Sequence, residues 1–102
     1  MIYVIATVEV VAGQRDRFLD EFRKVVPDVL AEQGCLFYGP TVDLPTGLTK
    51  QIPIRENVVT IVESWESLEA LQAHLVAPHM LTYRERVQGL VAGSQLQILN
   101  LQ

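Results

Sequence analysis

Two segments of this sequence alternate as β-strands do, yet each carries apolar residues on both of its faces. In Ile2–Val11, one face is wholly aliphatic and the other includes Tyr3 and Ile5. A layer of helices covers only one face of a sheet, so the second face needs another partner. The simplest partner is the same sheet of a second subunit. The two faces of the second segment hold Val58 and Val62 on one side and Val59, Ile61 and Trp65 on the other. We expect Val59 and Ile61 to lie in the interface between the two subunits.

The remaining periodicities place helices between the strands. The order β-α-β-β-α-α-β predicts an α+β fold, the ferredoxin-like βαββαβ sandwich. Two copies joined sheet to sheet would form a dimeric α/β barrel, so we predict one domain over residues 2–99 and a homodimer. The predicted elements are Ile2–Val11, Gln14–Gln33, Cys35–Asp43, Val58–Ser64, a helix capped by Ser67, a helix from Pro78 to about Val91, and Ser94–Leu101.

Proline and glycine mark the irregular positions of the chain. Pro27 removes a backbone donor inside the first helix and predicts a kink there. The pair Gly39-Pro40 predicts a bulge or an edge position in the second strand. Residues 44–57 predict a long loop, which is either a lid over a site or a surface excursion.

Composition excludes several classes of partner. The 102 residues carry a net charge of −4, and the basic residues are scattered, which argues against nucleic-acid binding. No apolar run reaches the length of a membrane span, and the strand-like N-terminal segment lacks the features of a signal peptide. The single cysteine, Cys35, has no partner for an intrachain disulfide. These features predict a cytoplasmic protein.

The only two histidines, His74 and His79, lie five residues apart with Pro78 between them. Helical metal-binding pairs use a spacing of three or four, and no third histidine exists, so we predict no metal site. His74 flanks the apolar stripe of its helix, where it is either a general base or a core-edge histidine bonded to backbone. His79 begins the next helix, and we expect a neutral hydrogen-bonding residue that fixes the turn.

Glu63 shares a strand face with apolar residues, and a charge in that setting is usually paired or functional. We expect an ion pair with Arg84 or Arg55, with a site role as the alternative.

Trp65 either packs in the core or forms an aromatic wall for a ligand. The same two roles are open for Tyr38 and Tyr83. We expect Cys35 to be a packing residue. The sequence contains no phosphate-binding glycine loop and no flavin or nicotinamide motif.

Three stretches together resemble the antibiotic biosynthesis monooxygenase (ABM) family of small dimeric α/β barrels. They are MIYVIATVEVVAGQ, VVPDVLAEQGCLFYGPTVD and ESWESLEALQAHLVAPHMLTY. Within the family, the chain is similar to the bacterial quinol monooxygenases, which share the E-x-G-C and A-H-L-x-x-P-H-M elements.

The resemblance implies a cofactor-independent monooxygenase that oxidises a quinol or similar electron-rich polyphenol with O₂. Such a reaction needs a pocket that excludes water, a base and room for O₂. No cofactor and no metal are implied. The expected partners are a small aromatic substrate, O₂ and a second copy of the chain. From the residues considered above, and partly from the resemblance, we expect His74 to be the catalytic base and the substrate-binding residues to be Trp65, Tyr38, Glu63, His79 and Arg84.

The chain also departs from other branches of the family. Anthrone oxygenases of the family have an asparagine where this chain has Ile61. Haem-degrading members have an axial histidine where it has Arg84 and an asparagine where it has Ala6. Haem degradation is therefore disfavoured. Two alternatives stay open: an isomerase of a small phosphorylated metabolite, bound through Arg84 and Arg86, and a non-catalytic dimeric module that binds an aromatic metabolite.

Overall fold

One four-stranded antiparallel sheet packs against three helices in this computed structural model, which describes residues 1–102. The strand order is β2-β3-β1-β4. The α+β ferredoxin-like prediction is confirmed. The elements are β1 (Ile2–Val10), α1 (Arg15–Leu30), β2 (Cys35–Thr41), β3 (Val58–Trp65), α2 (Leu68–Leu75), α3 (Pro78–Val87) and β4 (Val91–Asn100).

The helices cover the even-numbered face of β1. Val4, Ala6, Val8 and Val10 are buried there, whereas Tyr3 and Ile5 on the opposite face are only half-buried. The antiparallel register places Val4 beside Glu63 and Ala6 beside Ile61. The helix-covered face of the sheet therefore carries both the core and the candidate site residues of β3.

The same register decides which side of β3 is left open. Sequence reasoning assigned Val59 and Ile61 to the interface between subunits, and this prediction is wrong because both pack under the helices, 0% and 5% exposed. Alternation shows that two faces exist but not which one the helices cover. The open face carries Phe37 and Leu99, which are 55% and 41% exposed. Dimerisation stays a prediction.

Local sequence signals explain most element boundaries. The Ser67 hydroxyl accepts from the Ala70 N–H at 3.2 Å and caps α2, and Pro78 opens α3, both as predicted. Helix α3 ends at Val87, earlier than predicted, because Val91 already pairs with Val10 in the sheet.

The pair Gly39-Pro40 lies in an edge strand, one of its two predicted settings, whereas the irregularity of this strand lies elsewhere. β2 is an edge strand, so Pro40 withholds no hydrogen bond from a neighbour on the outer side. The register shift lies between Cys35 and Phe37 rather than at Gly39-Pro40.

The segment between β2 and β3 has no regular structure but is tied at its base. Asp43 accepts from the Arg55 side chain at 2.8 and 2.9 Å and from the Arg55 backbone N–H. Between these two residues the segment exposes Leu44 and Leu48 to solvent.

None of the three helices has both the length and the apolar character needed to cross a membrane.

Candidate active site

A cavity of about 420 Å³ lies between the helix-covered face of the sheet and the helices. Small-molecule sites commonly have 300–1,000 Å³. The wall is mainly apolar and aromatic, with few polar groups. The lining residues are Ala6, Val8, Phe22, Tyr38, Ile61, Leu75, Met80, Tyr83, Val87, Val91 and Leu96, with Glu63, His74, Arg84, Gln88, Ser94 and Gln95 as the polar members.

The cavity has two ends of different character. Its inner end, formed by Tyr38, Glu63 and His74, is buried. Its outer end, formed by Arg84, Gln88, Gln95 and Leu96, is exposed. A bound molecule would therefore place one part among buried groups and another part near solvent.

His74 is the most buried polar side chain of the inner end, with 2% of its surface exposed. Its ring packs against Trp65, with centroids 4.7 Å apart, and against the edge of Tyr38 at 5.3 Å. Burial lowers the pKa of His74, and the hydrogen bond that its ring donates to Glu32 partly opposes that effect. The imidazole is therefore held neutral near pH 7, the state in which a histidine accepts a proton.

One carboxylate oxygen brings the two histidines together. Glu32 Oε2 lies 2.9 Å from His74 Nδ1 and 2.8 Å from His79 Nε2. Glu32 follows α1, His74 is in α2 and His79 is in the first turn of α3, so three elements meet at this atom. The contact with Glu32 is one through which His79 could fix the turn, as predicted from the sequence.

Glu63 has a different partner from the predicted one. The expected ion pair is wrong, because Arg55 binds Asp43 and Arg84 makes no salt bridge with Glu63. Glu63 Oε1 instead accepts from Trp65 Nε1 at 2.9 Å, since residues two apart on a strand lie on the same face. Burial raises the pKa of Glu63 to about 7, and the Trp65 N–H partly offsets this.

Aromatic rings form the wall around these groups. Tyr38 stacks on Phe22 with centroids 5.4 Å apart, and Tyr83 meets Phe22 edge-on at 5.6 Å. Burial raises the pKa of both tyrosines well above the ordinary phenol value, so neither is a proton acceptor near neutral pH. Burial also raises the pKa of Cys35, which packs against the core and donates to the Phe37 carbonyl at 3.9 Å.

The predicted site residues divide into two groups. Tyr38, Glu63, His74 and Arg84 line the cavity. Trp65 and His79 do not, because Trp65 is wholly buried behind His74 and His79 lies on the far side of Glu32. Their contacts are with cavity residues rather than with the cavity itself. The side chains offer no group of three or more His, Cys, Asp and Glu residues placed to hold a metal ion.

Sequence reasoning did not select Glu32 as a site residue. Its signal lay in the E-x-G-C element, where Glu32 is the acidic member and Gly34 the glycine. Gly34 has φ +85°, and a Cβ there would meet the Ala70 Cβ at 2.7 Å. Glycine thus lets the turn that carries Glu32 lie directly against α2, which brings the carboxylate to His74.

Comparison with known proteins gives the family. The family model described as antibiotic biosynthesis monooxygenase matches residues 1–86, which include every cavity-lining residue up to Arg84. The chain belongs to the antibiotic biosynthesis monooxygenase family. A relative from Escherichia coli K12, named "Probable quinol monooxygenase YgiN", is 43% identical over 101 residues, covering 97% of this chain and 96% of that protein. Together, the family and this relative support a monooxygenase.

Solved structures agree with the ABM fold. The crystal structure of PA3566 from Pseudomonas aeruginosa superposes with a TM-score of 0.81 at 23% identity, covering 99% of this chain and 93% of that one. The structure of Rv0793 from Mycobacterium tuberculosis gives a TM-score of 0.80 at 22% identity, covering 99% and 94%. At these identities the likeness concerns the fold alone.

Proposed function

We propose that this ABM-family protein is a cofactor-independent monooxygenase that oxidises a quinol or a similar electron-rich polyphenol with O₂. The observation that carries the proposal is the neutral, buried His74 imidazole in the wall of an apolar cavity, with its Nδ1 atom bonded to Glu32. The quinol substrate is further supported by the name of the 43% identical relative.

The proposed reaction begins with proton transfer from a substrate hydroxyl to His74 Nε2. The O–H bond breaks, the N–H bond forms, and the electron pair stays on the phenolic oxygen. The electron-rich quinolate then passes one electron to O₂, and the two radicals combine at a ring carbon. His74 returns its proton to the resulting peroxide, whose O–O bond then breaks, and loss of water leaves a hydroxylated quinone. One atom of O₂ enters the ring and the other leaves as water, so the substrate supplies all four electrons and no external reductant is required.

The cavity's other residues have supporting roles in this proposal. Tyr38 and Phe22 provide flat apolar contacts for an aromatic ring and exclude water from the inner end. Glu63, held by the Trp65 indole, faces a second substrate hydroxyl. Arg84 contacts the part of the substrate that reaches the outer end.

The sheet's open face supports the other part of the proposal, a homodimer. Phe37 and Leu99 are large apolar side chains on a face that no helix covers. A second copy placed there would remove them from water. We also keep the cytoplasm as the proposed location, which suits the one free thiol, Cys35.

Oxygen uptake tests the proposed activity. The protein would be mixed anaerobically with a reduced naphthoquinol and then exposed to air in an oxygen electrode, with superoxide dismutase and catalase present to limit autoxidation. We expect enzyme-dependent uptake of one O₂ per quinol and a product that carries one more oxygen atom than the quinone. Uptake no faster than autoxidation across several quinols would reject the proposal.

One observation favours a second candidate. Arg84 lines the cavity without a carboxylate partner and is therefore free to bind an anion. Its expected companion in phosphate binding, Arg86, instead donates to Glu21 at 3.0 Å. An isomerase of a phosphorylated metabolite would turn over without O₂ and would be inhibited by inorganic phosphate. A binding module would hold an aromatic metabolite tightly without turnover.

A further inference from the structure

Glu32 occupies an unusual position for a glutamate in a small domain. A single oxygen, Oε2, bonds to two imidazoles that come from two different helices. The exposed fraction of the side chains rises along this contact, from 2% at His74 to 14% at Glu32 and 26% at His79. The carboxylate thus joins the buried base to the protein surface without itself lining the cavity.

The contact determines which ring nitrogens carry hydrogen. A carboxylate only accepts hydrogen bonds, so both nitrogens that face Glu32 must be N–H donors. His74 is then the Nδ1–H tautomer, and its Nε2 atom keeps a free lone pair. No protein group bonds Nε2, and the ring lines the cavity. The lone pair is therefore available to a substrate hydroxyl.

We infer that Glu32 is the positioning residue of this site. It holds His74 in the tautomer that offers Nε2 to the cavity, and it stabilises the imidazolium that forms when a proton arrives. His79 secures the carboxylate through its second hydrogen bond. The inference rests on the proposed function for its rate effect, whereas the tautomer itself can be measured with no substrate present.

Other charged groups near His74 do not replace this carboxylate. Glu63 is bonded to Trp65, Arg84 carries the wrong sign, and Cys35 is a thiol whose raised pKa keeps it protonated. His79 faces the same oxygen and is a second donor rather than an acceptor for His74. Glu32 is therefore the only partner placed to accept from Nδ1.

Nitrogen-15 NMR of the free protein tests the tautomer directly. In the wild-type protein near pH 7.5, we expect His74 to show a protonated Nδ1 and an unprotonated Nε2. In Glu32→Gln the amide can present either an oxygen or an NH₂ group to the ring, so we expect the other tautomer to appear. A wild-type His74 that carries its hydrogen on Nε2 would overturn the inference, whatever the activity of the protein.

Kinetics then separate positioning from binding. We expect Glu32→Gln to lower kcat about 10–100-fold, the range for lost partners of a functional histidine, with little change in KM. The acid limb of the kcat/KM profile should move to lower pH, because the hydrogen bond that raises the His74 pKa is weakened. An unchanged kcat together with an unchanged acid limb would contradict the inference.

Two further variants guard against a general loss of folding. Glu69→Gln removes an exposed carboxylate from the first turn of α2 and should leave rate and tautomer as in the wild type. His79→Gln keeps an N–H donor and should retain more kcat than His79→Ala, which has none. Equal loss in both His79 variants, with normal thermal melting, would show that the donor to Glu32 does not matter.

Discussion

The two ends of the cavity differ in how their polar groups are held. At the inner end, His74 and Glu63 are buried, and each makes a hydrogen bond to a residue behind the wall, Glu32 or Trp65. At the outer end, Arg84 and Gln95 are exposed, and neither side chain forms an ion pair or hydrogen bond within the chain. Preorganised groups in a water-poor setting suit proton transfer. Exposed groups without internal partners suit recognition. We therefore propose that the chemistry takes place at the inner end and that the outer end determines selectivity.

Removing the base should give the largest effect. We expect His74→Ala to lower kcat/KM by about 10²–10⁴-fold, the usual contribution of a positioned general base. Binding of a non-reactive quinone should change little, because the aromatic wall stays in place. Steady-state oxygen uptake and fluorescence titration measure the two quantities. A full rate in His74→Ala alongside a large loss in His79→Ala would mean that the wrong histidine has been assigned.

Replacing Glu63 by Gln at the inner end should give the next largest effect, an increase in the free energy of unfolding. The pKa of Glu63 is about 7 in the folded chain and near 4.5 when unfolded. Between these two pH values the carboxyl group is therefore protonated in the folded state and ionised in the unfolded state. The free energy of unfolding is therefore lowered as pH rises from 4.5 through 7, by up to about 3 kcal/mol. Glu63→Gln removes this cost while its amide oxygen still accepts from Trp65. Urea unfolding should show the variant more stable than wild type at pH 8 and about equal at pH 4. A difference that does not vary with pH would contradict the assignment.

A third prediction concerns the turn that supports the inner end. Gly34→Ala places a Cβ 2.7 Å from the Ala70 Cβ and strains a residue with φ +85°. We expect a loss of about 2–3 kcal/mol in unfolding free energy and a lower kcat, since the Glu32 turn must move away from α2. Gly13→Ala is the matched control, because Gly13 has φ +81° but no atom within 4 Å of a Cβ. Equal destabilisation in both variants, with kcat retained in Gly34→Ala, would show that the close approach is unimportant.

The outer end should give the smallest effect. Arg84→Gln should raise KM several-fold for a quinol bearing a carboxylate substituent and leave kcat nearly unchanged, since an exposed charge pair contributes only about 1 kcal/mol. KM for a neutral quinol should move little. A tenfold fall in kcat with the neutral substrate would place Arg84 in the chemistry and erase the distinction between the two ends.

The sequence predicted the fold because its signals are local. Alternation in β1 and β3, helical spacing in α1 and the cap at Ser67 each depend on residues within one element. His74 was predicted at the core edge for the same reason. The hydrogen bond from Trp65 to Glu63 was also predictable, because residues two apart on a strand share a face. A cationic partner was predicted instead.

The rest depends on contacts between distant parts of the chain. Glu32 lies 42 residues before His74 and 47 before His79. They meet only because the turn after α1 lies against α2 and α1 itself packs against α3. The five-residue spacing of the two histidines held no information about a shared carboxylate. Likewise, the alternation of β3 does not reveal that Val59 and Ile61 face the helices, since that follows from the position of the whole helical layer.

Isotope labelling tests the central claim most directly. The protein would be supplied with a reduced naphthoquinol under ¹⁸O₂ in ordinary water, and the product would be analysed by mass spectrometry immediately after quenching, with a parallel reaction under ¹⁶O₂ in H₂¹⁸O. The account predicts a hydroxylated quinone with one ¹⁸O atom from O₂ and, in the parallel reaction, no water-derived label in the new hydroxyl group. Unhydroxylated quinone accompanied by hydrogen peroxide, or a hydroxyl oxygen derived from water, would contradict it.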